Sequence, residues 1–359
     1  MSREEGGFWK GGPAPPCSRE LVRIAVVASL VTPLREAQLG GAQAFLTDLA
    51  RALAARGHDV TLYCAEGSAV GGPRLVAVPA PAGVEAALVM PGGAPRAPVP
   101  ALREAFERLF DAVRRDGCDA VSQHAFDAEA FELAAGLPVL HTLHLPPLVP
   151  GVVAAAAAAG GRCATVSEAM RRAWAAAGVP GARVLPNGVP AFAVPAAAVA
   201  RRALIAGRVS PEKGTAAAVR IARLAGLEPV LAGTVYDRGY WEREVRVPIA
   251  PVERPALWRL MAGSAVTLMP VEWDEPFGMV AAESQMAGCP VAGYRRGALP
   301  EVVEEGVGGI LVAPGDEEAL VAAVPAALAL DRRLVRESAL RRLDIRRSAA
   351  AYEAALSAP

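Results

Sequence analysis

The chain has 359 residues, too many for one ordinary hydrophobic core and enough for two domains. Hydrophobic residues make up 53% and charged residues 21%, a balance that excludes a disordered chain. Lys plus Arg and Asp plus Glu stand at 37 each, without the basic excess of a nucleic-acid binder.

The first twenty residues, MSREEGGFWKGGPAPPCSRE, are Gly/Pro-rich and lack the apolar segment of a signal peptide, so 1–20 reads as a disordered leader. VRIAVVA (22–28) is a β-branched run suited to a buried strand. After Gly40-Gly41, apolar side chains at Ala42, Phe45, Leu46, Leu49, Leu53 and Ala54 fall at helical spacing, and Gly57 is a fitting stop. VTLYCA (60–65) is the next strand, which completes a βαβ unit of a parallel sheet. A helix over 101–115 follows, with strands at 119–123, 138–144 and 163–166 and Ser167 as a helix N-cap. The longest uncharged run, 137–161, holds Pro138, Pro146, Pro147 and Pro150, which argues against a membrane helix.

PNGVPAFAVPAAA (186–198) reads as a Pro-rich interdomain linker. A second βαβ series then starts: strands at 203–207, 229–233, 265–270 and 290–294, a helix after Lys213 and another from about Gly278 to Ala287. Charged helices close the chain. The expected fold class is α/β, with two doubly wound Rossmann-like domains facing a central cleft. The expected divisions are a leader 1–20, a first domain 21–190, a linker 191–200, a second domain 201–340 and a final helix 341–359 returning to the first domain. Ligands in such folds sit beyond the carboxyl ends of strands.

Five scattered cysteines (Cys17, Cys64, Cys118, Cys163, Cys289) form no CxxC, which points to a reducing, cytoplasmic compartment and no zinc site. No cluster has metal-ligand spacing, no GxSxG elbow occurs, and no GxGxxG follows a strand. GRVSPEKG (207–214) is not a phosphate-binding P-loop, because Lys213 precedes Gly214 and the first Gly is misplaced. It still sets two cations, Arg208 and Lys213, around a turn where they either converge on one anion or form an ordinary solvated turn. Gly40-Gly41 opens a helix, as an anion site or as a plain loop pair.

DEPFGMVAAESQMAGCPV (274–291) carries two carboxylates, Glu275 and Glu283, in an otherwise apolar setting. Unpaired buried carboxylates are costly, so both are expected to accept hydrogen bonds from ligand hydroxyls. The helix start at Gly278–Val280 makes a second anion site. His144 ends a strand beside two prolines, where a lone histidine is more often structural; His124 and His141 attach to no site.

Together, GGAQAFLTDLARALAARGHDVTLY (40–63), VSEAMR (166–171), LPNGV (185–189), GRVSPEKG, EPFGMVAAE (275–283) and GALPEVVEEGVGGILV (297–312) resemble the retaining, nucleotide-sugar-dependent GT-B glycosyltransferases of the family 4 type. The resemblance implies a hexosyl-type transferase that moves a sugar to a hydroxyl acceptor with retention of configuration. It implies a donor diphosphate held by Arg208 and Lys213, with Gly41 meeting it on closure. Glu275 would contact the donor sugar, the backbone from Phe277 through Gly278 and Met279 to Val280 would line the sugar and phosphate, and Glu283 would contact the ribose. His144 matches a family histidine near the reacting carbon.

A nucleotide-sugar donor is implied, UDP before other bases, with no metal. The chain departs from the family at Gln285 and Cys289, and the interval 242–259, which helps recognise the base in the family, is short. No basic amphipathic stretch marks a membrane acceptor, so a soluble acceptor is favoured. No nucleic acid is expected, and the chain is read as a monomer or homodimer. Two alternatives stand: a nucleotide-sugar epimerase of the same fold and a non-catalytic sugar-nucleotide-binding subunit.

Overall fold

A computed structural model describes residues 22–35, 40–82, 84, 100–194, 198–250 and 252–357. The 1–20 leader lies outside the described residues. The first sheet holds β1 (Arg23–Val27), β2 (Asp59–Ala65), β3 (Arg74–Val78), β4 (Ala120–Gln123), β5 (Val139–Leu143), β6 (Cys163–Thr165) and β7 (Arg183–Val184). All pair in parallel, in the order β3-β2-β1-β4-β5-β6-β7. Its helices are α1 (Gly41–Ala55), α2 (Pro100–Asp116), α3 (Ala128–Leu133), α4 (Pro150–Ala159) and α5 (Glu168–Ala176). The central strands are buried on both faces: β1 reads as an apolar run, while β4 and β5 also bury polar side chains, Ser122, Gln123, His141 and Thr142. Ser167 caps α5, its hydroxyl accepting from the Met170 N–H at 3.1 Å.

The second sheet has the order β10-β9-β8-β11-β12-β13, again wholly parallel. Its strands are β8 (Ala200–Val209), β9 (Glu228–Val235), β10 (Ile249–Ala250), β11 (Ser264–Met269), β12 (Val291–Tyr294) and β13 (Gly309–Val312). Its helices are α6 (Thr215–Leu224), α7 (Arg238–Tyr240), α8 (Arg254–Gly263), α9 (Met279–Met286), α10 (Leu299–Val302), α11 (Glu317–Leu328) and α12 (Arg332–Arg342). The short interval 242–259 still returns a strand to this sheet, β10, and begins α8.

The last helix, α13 (Ile345–Leu356), packs on α1, β4 and β5 of the first sheet. Its buried residues, Ile345, Ser348, Ala349, Tyr352 and Ala355, recur at helical spacing. The linker and this return crossing are stitched together. Val189 donates to Leu343 O at 2.8 Å, Ile345 donates to Val189 O at 3.0 Å, and Ser348 Oγ donates to Pro186 O at 2.8 Å. Further ties cross the cleft: Ser167 Oγ donates to Pro276 O at 2.7 Å, and the Glu301 carboxylate accepts from the Glu168 and Ala169 N–H groups, both at 2.8 Å, at the start of α5.

In each sheet the chain reverses its order of addition beside the first strand, between β1 and β4 and between β8 and β11. Loops leaving those four strands open at the two switch points, where α/β sheets bind ligands.

Candidate active site

A cavity of about 280 Å³ lies between the two switch points. The second domain supplies Arg208, Lys213, Glu275 and the 277–280 turn; the first supplies Gly41, His124 and His144. Two larger hollows exist, of about 790 and 710 Å³. The first is lined by Val22, Asp119 and Pro138, at the amino ends of β1, β4 and β5, the wrong end of the sheet for a ligand. The second lies beside Arg254, between α1 and α8.

Lys213 ends the turn after β8. Gly214, at φ 64°, follows it, and a side chain there would collide with the Pro270 carbonyl oxygen. Only glycine lets that turn dock on the end of β11 and bring Lys213 to Glu275. The ammonium lies 2.6 Å from Glu275 Oε2 and 4.6 Å from the centre of the Trp273 ring. Trp273 Nε1 donates to the same oxygen at 2.8 Å. Glu275 is only 8% exposed, and these two donors are what make its burial tolerable. Its backbone is fixed as well: Ala298 N donates to Glu275 O at 2.8 Å, in the turn that begins GALPEVV.

Arg208 projects from the end of β8. Its Nη2 is 3.6 Å from Glu212 Oε1, its guanidinium lies 5.7 Å from the Tyr236 ring centre, and its buried Nε has no partner among the described residues. Helix α9 opens at Gly278, with its first intrahelical bond running from Ala282 N to Gly278 O at 3.1 Å. The N–H groups of Met279, Val280 and Ala281 therefore have no acceptor within the helix and leave a positive end on the cavity. Gly41 approaches from the other side: a Cβ there would sit 3.3 Å from Met279 Cγ.

Glu283, the second carboxylate of 274–291, lies on α9. It does not line this cavity. Its Oε1 accepts from Arg254 Nε at 2.6 Å and from Trp258 Nε1 at 3.2 Å, so protein donors meet part of the cost of its burial. Arg254 Nη1 also lies 2.6 Å from Asp48 Oδ2 on α1, an ion pair without good hydrogen-bond alignment. One guanidinium thus joins carboxylates of both domains. Burial alone would lower the Arg254 pKa, but Glu283 and Asp48 override it and hold the cation charged. Burial pushes the Asp48 carboxyl above its ordinary value, against the pull of Arg254.

His144, at the mouth of β5, is buried, and desolvation pushes its pKa down to about 4. Its Nε2 lies 2.8 Å from His124 Nδ1. His124, which the sequence attached to no site, therefore belongs to this one. His141 does not: it stacks on Phe131 at 4.3 Å, within the first domain. Trp273 and Asn187 were also missed, although Asn187 sits inside LPNGV and Trp273 directly precedes the 274–291 stretch. Asn187 lines the cavity, and its buried Oδ1 has no partner among the described residues.

Of the departures noted in the sequence, Gln285 donates to Ala281 O at 3.0 Å and Val302 O at 3.2 Å, bracing α9 against α10. Cys289 is buried beside Thr267, with burial raising its thiol pKa. No helix among the described residues is long and apolar enough to cross a membrane.

Comparison with known proteins points one way. Residues 39–191 match the family described as Glycosyltransferase Family 4, and residues 248–341 match Glycosyl transferases group 1. A D-inositol 3-phosphate glycosyltransferase of Mycolicibacterium paratuberculosis is 32% identical over a stretch covering 35% of this chain and 33% of its own length. The match thus spans about a third of that curated relative. AviGT4, a glycosyltransferase involved in avilamycin A biosynthesis, superposes with a TM-score of 0.67 at 25% identity, covering 93% of this chain and 97% of its own. HepE of Anabaena, solved with UDP and glucose, shares the fold with a TM-score of 0.70 at 19% identity, over 94% and 99% of the two chains.

Proposed function

The chain belongs to the GT-B glycosyltransferases of the family 4 type, and from that premise we propose that it moves a sugar from a nucleotide-diphosphate sugar to a hydroxyl acceptor with retention of configuration. The observation that carries the reading is the convergence of two cations, Arg208 and Lys213, with the amino end of α9 on one side of an interdomain cavity.

The diphosphate lies against those groups, and Gly41 closes on it from the first domain. Lys213 has three N–H donors; one serves Glu275 and the others are free for phosphate oxygens. Glu275, held by Lys213 and Trp273, presents its remaining acceptor capacity to the sugar hydroxyls. In the reaction the bond from the anomeric carbon to phosphate oxygen breaks as the bond to the acceptor oxygen forms on the same face. The acceptor's proton passes to a phosphate oxygen of the departing diphosphate, so no separate base is needed. Arg208, Lys213 and the helix end take up the developing charge, which fixed donors in a water-poor site do without reorganising. They supply the role that a metal fills elsewhere, so activity without divalent cations is part of this proposal.

UDP is the first nucleotide to try, because HepE was solved with UDP and with UDP-glucose. The experiment is product analysis by NMR with a UDP-sugar, with and without an acceptor panel, in EDTA. A glycoside with the donor's anomeric configuration, formed only when acceptor is present, is expected. An inverted product overturns retention, and an altered nucleotide sugar formed without acceptor assigns the epimerase reading instead.

A further inference from the structure

We propose that His124 is a positioning residue that fixes His144 in one tautomer, with its hydrogen on Nδ1 and available to an oxygen of the substrate in the cavity. Three polar side chains lie in a row: Ser122 Oγ is 2.8 Å from His124 Nε2, and His124 Nδ1 is 2.8 Å from His144 Nε2. All three are buried. The row is clamped by rings. His124 stacks on His144 at 5.1 Å and on Tyr352 at 5.7 Å, and Phe45 meets the edge of His144 at 5.9 Å. Tyr352 comes from the returning helix α13 and is itself tied to Thr142 at 3.2 Å.

The protons in this row can run in only two orders. Desolvation depresses both imidazoles, so each carries one N–H. If His144 Nε2 donates to His124 Nδ1, then His124 Nε2 donates to Ser122 Oγ. The Ser122 hydroxyl hydrogen is then left without an acceptor among the described residues, in a fully buried place. In the opposite order, Ser122 donates to His124 Nε2 and His124 Nδ1 donates to His144 Nε2. The one donor then left over is the His144 Nδ1–H, on a side chain that lines the cavity, rather than the Ser122 hydroxyl in a fully buried place, and that difference decides the direction. His144 Nε2 is thereby occupied as an acceptor. Its Nδ1–H meets no partner among the described residues, while the side chain lines the cavity. His144 is thus a hydrogen-bond donor to substrate and not a base, which agrees with a reaction whose proton leaves on the diphosphate.

The test reads the tautomer directly, from the imidazole nitrogen shifts of 15N-histidine-labelled protein between pH 5.5 and 8. In the wild type His144 shows a protonated Nδ1 and a bare Nε2 throughout. His124→Phe keeps a ring against Tyr352 but removes the donor. His144 then drifts to the Nε2–H form that free imidazole favours, and kcat falls at least tenfold with donor KM changed less than twofold. His124→Gln, whose amide can accept from Ser122 and donate to His144, restores both readouts in part.

An unchanged His144 tautomer in His124→Phe overturns the proposal, as does a wild-type His144 carrying its hydrogen on Nε2. If His124→Phe does not fold, Ser122→Ala leaves both rings in place and removes the hydroxyl that sets the direction. Mixed tautomers are expected there, and the wild-type pattern overturns the proposal. The rate effect rests on the transferase reading; the tautomer does not. A protein that turns over no donor yet shows the predicted tautomers therefore refutes that reading and not this one.

Discussion

Lys213→Ala is expected to lower kcat/KM by about 10²–10³-fold, the usual loss when one fixed donor to a developing oxyanion is removed. Lys213 lines the cavity, 2.6 Å from Glu275 and over Trp273. Removing it takes away a positive charge from the leaving diphosphate and leaves the buried Glu275 carboxylate with Trp273 alone. The second effect leaves a buried carboxylate short of donors and loosens the wall that holds the sugar. The check is steady-state kinetics with a matched donor, alongside circular dichroism to show that the fold persists. Turnover within twofold of wild type in a folded Lys213→Ala contradicts the assigned role.

Arg254→Ala carries the largest expected cost in stability, about 3–5 kcal/mol. Most ion pairs among the described residues lie at the surface, such as Arg333 with Glu337, and such pairs are each worth about 0–1 kcal/mol. Arg254, Asp48 and Glu283 differ in being 6–7% exposed in their side chains. Truncating the arginine leaves two carboxylates buried in one place without the cation that pairs them, and it separates α1 of the first domain from α8 and α9 of the second. Asp48→Asn should cost much less, since burial already pushes the Asp48 proton affinity upward and the remaining Arg254–Glu283 pair is charge-balanced. Urea unfolding of the two variants distinguishes them. Equal and small shifts for both would show that the cluster carries little of the domain contact.

The sheets were largely legible because parallel strands are buried on both faces and leave apolar runs bounded by glycine. Strand β3 was not, because RLVAV is an edge strand only partly buried and sits in a Pro/Gly-rich stretch that masks its signal. Strand β7 has two residues and no sequence signal at all. In the candidate site, Arg208, Lys213, Glu275 and Gly41 could be placed because each sits in a loop next to a recognisable strand or helix start. The partnership of Asp48, Arg254 and Glu283 could not, since it depends on how two domains meet, and no local pattern encodes that. The argument that a buried carboxylate needs donors was sound for Glu283; the donor proved to be an arginine from the start of α8. His124 was illegible for the same reason: Ser122 lies two residues away on the strand that His124 follows, but His144 follows the neighbouring strand and Tyr352 comes from the far end of the chain.

The most direct measurement is thermal stability of wild type and Lys213→Ala with UDP, GDP, ADP and TDP, in EDTA. A nucleotide at about 100 times its dissociation constant stabilises the protein that binds it by about 2.7 kcal/mol. The expected result is stabilisation of the wild type by one nucleotide, UDP first, without metal, and a much weaker response of Lys213→Ala to the same nucleotide. No response of the wild type to any of the four, or an equal response of both proteins, contradicts a donor site built on Lys213 at the interdomain cavity.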